Sequence, residues 1–121
     1  MYKYSKISQE RLNTVDKRLQ HLFNEVIKYY DCSIICGYRT IEEQKQAFKN
    51  KVSNCDGIRK KSKHQDGLAI DVVPYSTLYS NINNFYELAG VVKTIAKQLN
   101  INIKWGGDWE NFKDYAHWEI I

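Results

Sequence analysis

Apolar residues recur at intervals of three and four along the first 30 positions of the chain. This spacing places one apolar face on a helix, and Ser8 is a residue type that commonly caps a helix start. The pattern therefore predicts a single amphipathic helix from about Ser8 to Tyr30. The apolar face of this predicted helix consists of Leu12, Val15, Leu19, Leu22, Val26 and Tyr29.

Two later segments also have helical patterns. Thr40 and Glu43 have the spacing of a capping box, which predicts a helix from about Ile41 to Asn50. The second segment, residues 83–100, repeats apolar residues with helical spacing, at Phe85, Leu88, Val92, Ile95 and Leu99. Residues 51–63, between the two segments, are basic and polar without any period, which predicts a loop.

Four short segments have the composition of strands. They are rich in β-branched or aromatic residues and are bounded by glycine, proline or polar residues. The predicted strands are CSIIC (32–36), LAIDVVP (68–74), INIKW (101–105) and AHWEII (116–121). Helices that precede and separate a few strands indicate one small α+β domain over residues 1–121, with a short antiparallel sheet flanked by helices. The order of the strands does not follow from this pattern.

Composition and charge narrow the choice of partner only slightly. The chain has 121 residues, of which 43% are hydrophobic and 26% charged, as in ordinary globular domains. Its net charge of +4 favours an anionic partner, which can be nucleic acid, a membrane surface or an acidic wall polymer. No segment approaches the about 20 apolar residues of a membrane span, so we expect no membrane insertion.

The three cysteines are an odd number, so they cannot all be paired within the chain. Cys32 and Cys36 lie four residues apart on one predicted strand. At about 3.3 Å per residue they are separated by roughly 13 Å, which is too far for a disulfide. We therefore expect reduced thiols and synthesis in a reducing compartment.

Three polar residues at the predicted strands suit a metal site. Asp71 interrupts an apolar run, where an ionised carboxylate is costly unless a cation partners it; on a solvent-facing side of the strand it needs no partner. His64 precedes this strand and His117 lies at the start of the last one. Two imidazoles and one carboxylate leave a fourth position open, as in catalytic zinc sites. Asp114, close to His117, is a candidate acceptor for a proton, and Glu119 shares the face of His117.

The spacing of these residues resembles a known family. Residues 62–71 have the pattern Ser-x-His-x-x-Gly-x-Ala-x-Asp, and residues 114–118 the pattern Asp-x-x-His-Trp. CGYRT (36–40) and WGGDW (105–109) match two further segments in the same order, with Cys36 where serine is usual. The chain from about Gly37 onward thus resembles the zinc D,D-peptidases and L-alanyl-D-glutamate peptidases, a family of cell-wall peptidases that includes phage endolysins.

This resemblance implies a hedgehog/D,D-peptidase-like fold, a zinc cofactor and specific residue roles. Endopeptidase members have aspartate at the position of Asp114 and dipeptidases have glutamate, which favours hydrolysis of the L-alanyl-D-glutamate bond of murein stem peptides. A D-alanyl-D-alanine carboxypeptidase or dipeptidase is the alternative. The implied roles are metal ligands for His64, Asp71 and His117, general base for Asp114, oxyanion or carboxylate binding for Arg39, and substrate binding for Ser62.

Two other classes of function stay open. The basic loop before His64 is compatible with a nucleic-acid-binding domain, although neither a Cys/His finger nor an aromatic RNA-binding pattern is present. A metal-free domain that recognises the wall is the third possibility. We expect stem peptides rather than nucleic acid as the partner, and a monomer. Because the start of the chain has no apolar signal segment, we expect an endolysin made in the host cytoplasm that acts on the cell wall.

Overall fold

Four antiparallel strands form one sheet in the computed structural model, which describes residues 1–121. Their spatial order is β1-β2-β4-β3, so the central pair joins residues that lie 46 to 50 positions apart in the chain. The strands are β1 (Cys32–Cys36), β2 (Ala69–Pro74), β3 (Ile103–Trp105) and β4 (His117–Ile120). All four strand segments predicted from the sequence are present. The second and third begin one and two residues later than predicted, and the fourth is one residue shorter at each end.

Four α-helices and two short 3-10 turns complete the fold. The helices are α1 (Lys6–Leu12), α2 (Lys17–Val26), α3 (Ile41–Lys49) and α4 (Ile82–Gln98), and the 3-10 turns are Lys63–Asp66 and Gly106–Asp108. The predicted capping box of α3 is present, because Thr40 Oγ1 accepts from the Glu43 N–H and Glu43 Oε1 accepts from the Thr40 N–H. No helix is both long and apolar enough to cross a bilayer.

The predicted single helix from Ser8 to Tyr30 is wrong, because α1 ends at Leu12 and α2 begins after a turn. Asp16 starts α2 as its N-cap, accepting a hydrogen bond from the Arg18 N–H. The N-cap of α1 is Ser5, while Ser8 is buried and its Oγ accepts from the Ile34 N–H of β1. The apolar spacing continues through the turn because the residues on both sides face the same core, which conceals the break.

The two faces of the sheet have different chemistry. One face is apolar and packs against the helices, with Trp118 of β4 stacked on Trp105 of β3 at a ring-centroid distance of 5.7 Å. The other face carries a row of polar side chains, since Cys36, Asp71 and His117 are opposite one another in the register of β1, β2 and β4. The fold therefore places the candidate chemistry on the face that the helices leave open.

Candidate metal centre

The three predicted ligands meet on the open face of the sheet. Asp71 and His117 are cross-strand partners, and His64 projects from the 3-10 turn that precedes β2. His64 Nε2 lies 3.3 Å and His117 Nδ1 lies 3.4 Å from the same oxygen, Asp71 Oδ1. All three residues are buried, with at most 8% of their surface exposed. The arrangement brings two imidazole nitrogens from distant parts of the chain to one point, the Oδ1 atom of Asp71.

Hydrogen bonds to the far sides of the rings decide which nitrogens face this point. His64 Nδ1 is 2.8 Å from the Gly37 carbonyl and His117 Nε2 is 2.8 Å from the Glu119 carboxylate. Both partners only accept, so these nitrogens carry the hydrogens. The remaining lone pairs point to Asp71 Oδ1, a buried oxygen without a hydrogen-bond partner. Three converging acceptors require a cation, and carboxylate or carbonyl partners of this kind orient histidines that bind metals.

The ionisation of the metal-free site reflects the same need for positive charge. Burial lowers the pKa of His64, but contacts with Asp71 and Cys36 outweigh burial and raise it to about 10. Burial also lowers the pKa of His117, but its contacts with the Asp71 and Glu119 carboxylates outweigh burial and raise it. Burial raises the pKa of Asp71, but the two imidazoles hold it well below its usual range. In the absence of a metal, protons therefore provide the charge that the three groups attract.

Asp114 lies beside the three ligands without belonging to a strand. Its carboxylate, that of Asp71 and a ring nitrogen of His117 offer ligand atoms that all lie within 4.8 Å of one another. Burial, followed by the charge of Asp71, raises the pKa of Asp114. A carboxylate with a raised pKa and access to the cleft suits proton transfer near neutral pH.

Arg39 contacts the second carboxylate oxygen of Asp71, Oδ2, which the imidazoles do not face. Its Nη2 lies 3.4 Å from Asp71 Oδ2, and its Nη1 donates to Gln44 Oε1 at 3.1 Å. Gln44 is fully buried, and its Nε2 donates to Ser53 Oγ and to the Cys55 carbonyl, both at 2.8 Å. This role of Gln44 does not follow from the sequence pattern, in which the only local signal is its position on the buried stripe of α3 with Ala47.

The histidine turn, residues Lys63–Asp66, is held by local chemistry. Ser62 Oγ accepts from the His64 N–H, and the Gln65 side chain accepts from the Ser62 N–H, which makes a capping box. Gly67 ends the turn with φ 69°, a conformation that favours glycine. The Ser62 hydroxyl is therefore used to position His64, and its predicted contact with substrate stays a prediction.

A cleft of about 1240 Å³ opens onto the metal centre. Its floor is the polar row of the sheet, and its walls combine aromatic side chains with lysines. The aromatic members are Phe48, Tyr79, Trp109 and Phe112, and the cationic members are Arg39, Lys49, Lys51, Lys60, Lys61, Lys63 and Lys113. The cleft therefore combines apolar and cationic surface beside the metal centre.

The family described as phage L-alanyl-D-glutamate peptidase matches residues 1–120 of the chain. The chain belongs to this family. The L-alanyl-D-glutamate peptidase of Escherichia phage T5 is 32% identical over 124 residues, covering 98% of this chain and 89% of the phage protein. The family resemblance drawn from residues 62–71 and 114–118 is thereby confirmed.

Solved structures confirm the predicted fold of this phage peptidase family member. The Serratia marcescens L-Ala D-Glu endopeptidase ChiX superimposes with a TM-score of 0.83 at 24% identity, covering 98% of this chain and 90% of ChiX. The vancomycin-resistance D,D-pentapeptidase VanY, solved with Zn(II), superimposes with a TM-score of 0.54 at 17% identity, covering 91% of this chain and 70% of VanY. The α+β, D,D-peptidase-like architecture is therefore correct.

Proposed function

We propose that this protein is a zinc-dependent peptidase that hydrolyses the L-alanyl-D-glutamate bond of murein stem peptides. The main observation behind this proposal is that the lone pairs of two imidazoles converge on Asp71 Oδ1, a buried oxygen without a hydrogen-bond partner. The chain that carries this site belongs to the peptidase family. Two nitrogens and one oxygen at an open cleft are the donors of a catalytic zinc site. His64, Asp71 and His117 would hold the zinc, which when bound supplies a Lewis acid for the scissile carbonyl.

Asp114 and Arg39 supply the remaining chemistry. Asp114 takes a proton from the attacking water and delivers it to the leaving amine, a role typically worth about 10²- to 10⁴-fold in rate. Arg39 donates to the carbonyl oxygen as negative charge develops on it, and Gln44 and Asp71 hold the guanidinium in position. The aromatic side chains of the cleft offer apolar surface against which the peptide can pack.

Mass spectrometry of digested murein tests this proposal, because fragment masses identify the cleaved bond. We expect fragments that begin at D-glutamate; release of D-alanine instead would support the carboxypeptidase or dipeptidase alternative. Asp114→Asn should retain about one zinc per chain and lose at least about 10²-fold in kcat. Asp108→Asn, an exposed aspartate paired with Lys93, is the control. Unchanged turnover in Asp114→Asn would remove Asp114 from the mechanism.

The proposed setting is that of an endolysin, made in the host cytoplasm and acting on the wall. Its test is expression in a Gram-negative host with and without a pore-forming partner. We expect lysis only when the pore gives the protein access to the murein. Lysis without a pore would contradict storage in the cytoplasm.

A further inference from the structure

The positive charge of the protein is concentrated in the cleft. Seven of the 18 lysines and arginines line it, but only three of the 14 aspartates and glutamates do, and those three belong to the metal centre. The other eleven cations and eleven acids balance one another over the rest of the molecule. The net charge of +4 is therefore a property of the cleft, and it would increase with a bound divalent ion.

Most of the cleft cations already have partners. Arg39 is held by Asp71 and Gln44, Lys61 pairs with Asp66, Lys63 pairs with Glu119, and Lys113 donates to two carbonyls. The ammonium groups of three exposed lysines make no hydrogen bond or ion pair. We call these three the lysine rim: Lys49, Lys51 and Lys60.

The backbone that carries the lysine rim is well ordered by hydrogen bonds. Asp56 Oδ1 accepts from the N–H groups of residues 58, 59 and 60 at 2.8–3.0 Å, which fixes the backbone at Lys60. Gln44 ties residues 53 and 55 to α3, and Lys49 is the last residue of that helix. The backbone that carries the three lysines is therefore ordered along the cleft that contains the metal centre.

We propose that the lysine rim is a carboxylate-binding subsite that recognises the acidic residues following the scissile bond. The inference rests on the proposed function and deepens it. In a murein stem peptide D-glutamate continues the chain through its γ-carboxyl, so its α-carboxylate is free, and diaminopimelate adds another carboxylate. L-Alanine adds no side-chain charge. All the negative charge of the substrate thus lies on one side of the bond, and amidation of the α-carboxylate removes part of it.

The expected effect is moderate and sensitive to salt. Exposed ion pairs are each weak because water and salt screen them, so three together should change KM by about tenfold at low ionic strength. Charge attraction acts on encounter and binding rather than on the bond-breaking step. The subsite should therefore affect KM and leave kcat nearly unchanged.

The test compares two peptides and two triple variants with the zinc-loaded full chain. One peptide is L-alanyl-γ-D-glutamyl-diaminopimelate, and the other is identical except that the D-glutamate α-carboxyl is a carboxamide. The rim variant changes Lys49, Lys51 and Lys60 to Gln. The control variant changes Lys3, Lys17 and Lys104, which are exposed and lie outside the cleft, to Gln, so both variants lose the same charge.

We expect the rim variant to raise KM about tenfold for the free-acid peptide, to reduce the preference over the amide, and to weaken the dependence of KM on salt. The control variant should behave as the wild type. Equal KM values for the rim and control variants would overturn the subsite. Calorimetric binding of the product γ-D-glutamyl-diaminopimelate separates the two proposals, because it needs no turnover. If the wild type cuts neither peptide, the proposed function fails, whereas the subsite stands or falls on whether the rim variant alone weakens this binding.

Discussion

At the scale of single residues, the site depends on groups that hold the reactive side chains rather than on the reactive side chains alone. His64 presents Nε2 because Gly37 accepts from Nδ1, and the Arg39 N–H donates to the His64 carbonyl at 3.0 Å. A side chain at position 37 would collide with the Arg11 carbonyl and Thr14 Oγ1. The glycine of the CGYR segment is therefore required so that the chain can pass between α1 and the histidine turn.

Gln44 gives a sharp prediction at this scale. Gln44→Met has a similar volume but removes the acceptor for Arg39 and both donors to the 53–55 loop. We expect kcat/KM to fall about 10²-fold, because a displacement of about 1 Å at a positioned group has that effect. The bound zinc should stay near one per chain, measured by elemental analysis beside the kinetics.

Two further variants separate the functions of Gln44. Gln44→Glu retains an acceptor for Arg39 and loses the donors, so it should recover part of the lost kcat/KM. Gln46→Met on the exposed side of α3 is the control, since its amide bonds only Asn50. If Gln44→Met and Gln46→Met have the same kcat/KM, Gln44 does not position Arg39.

The three ligands were predicted mainly because the spacing of residues 62–71 and 114–118 resembles a known family, since residue type alone left Asp71 open to a solvent-facing position. Gln44 was not assigned, because its partners Ser53 and Cys55 belong to a loop without periodicity. Tertiary contacts determine which residues of this loop pack against α3. Local sequence patterns do not show these contacts. The role of Glu119 was predicted only in part. Strand alternation placed Glu119 on the face of His117, but the 2.8 Å hydrogen bond between His117 Nε2 and Glu119 Oε1 is seen only in the structure.

At the scale of elements, the strands and α3 followed from local patterns, while the break between α1 and α2 did not. The break has a use in the fold, since the Asp16 N–H donates to the Gly67 carbonyl at 2.9 Å, just after the histidine turn. A continuous helix would have this N–H bonded within itself. The metal site thus requires the interruption that the apolar spacing concealed.

Gly106 allows a prediction about how the elements around β4 fit together. Its carbonyl accepts from the Asp114 N–H, and an added Cβ would overlap the Asp114 carbonyl and lie 3.0 Å from His117 Cβ. Gly106→Ala must therefore shift Asp114 or His117. We expect about a 10²-fold loss of kcat/KM and about 1–3 kcal/mol of destabilisation, measured by kinetics and urea unfolding.

Gly90→Ala is the matched control for Gly106→Ala. Gly90 lies within α4 and a Cβ there meets nothing within 4 Å. Alanine in a helix interior should stabilise the protein by about 0.5–1 kcal/mol and leave the kinetics unchanged. Full activity in Gly106→Ala would show that the WGGDW turn does not hold Asp114 and His117.

At the scale of the whole molecule, the metal would connect three segments whose ends are 53 residues apart, from His64 to His117. A ligand that binds only the folded state stabilises it by about 4 kcal/mol at 1,000 times its Kd. For a chain of this size, removal of the zinc by a chelator should lower Tm by roughly 10–20 °C. The loss should be reversed by zinc but not by magnesium, which prefers oxygen ligands.

The pH dependence of Tm should differ in sign between the metal-free and the zinc-loaded protein. Without metal, the pKa of His64 is raised to about 10 from its usual 6.5. Stability from protonated His64 is therefore complete below about pH 6.5 and is lost as the pH rises through 10. Zinc needs deprotonated histidines, so its contribution grows as the pH rises from about 5 to 7.

Thermal unfolding from pH 5 to 9.5, with chelator and with zinc, should give curves that diverge as the pH rises. His21→Gln, an exposed histidine far from the cleft, should leave both curves unchanged; parallel curves in the wild-type protein would contradict a shared site for protons and zinc.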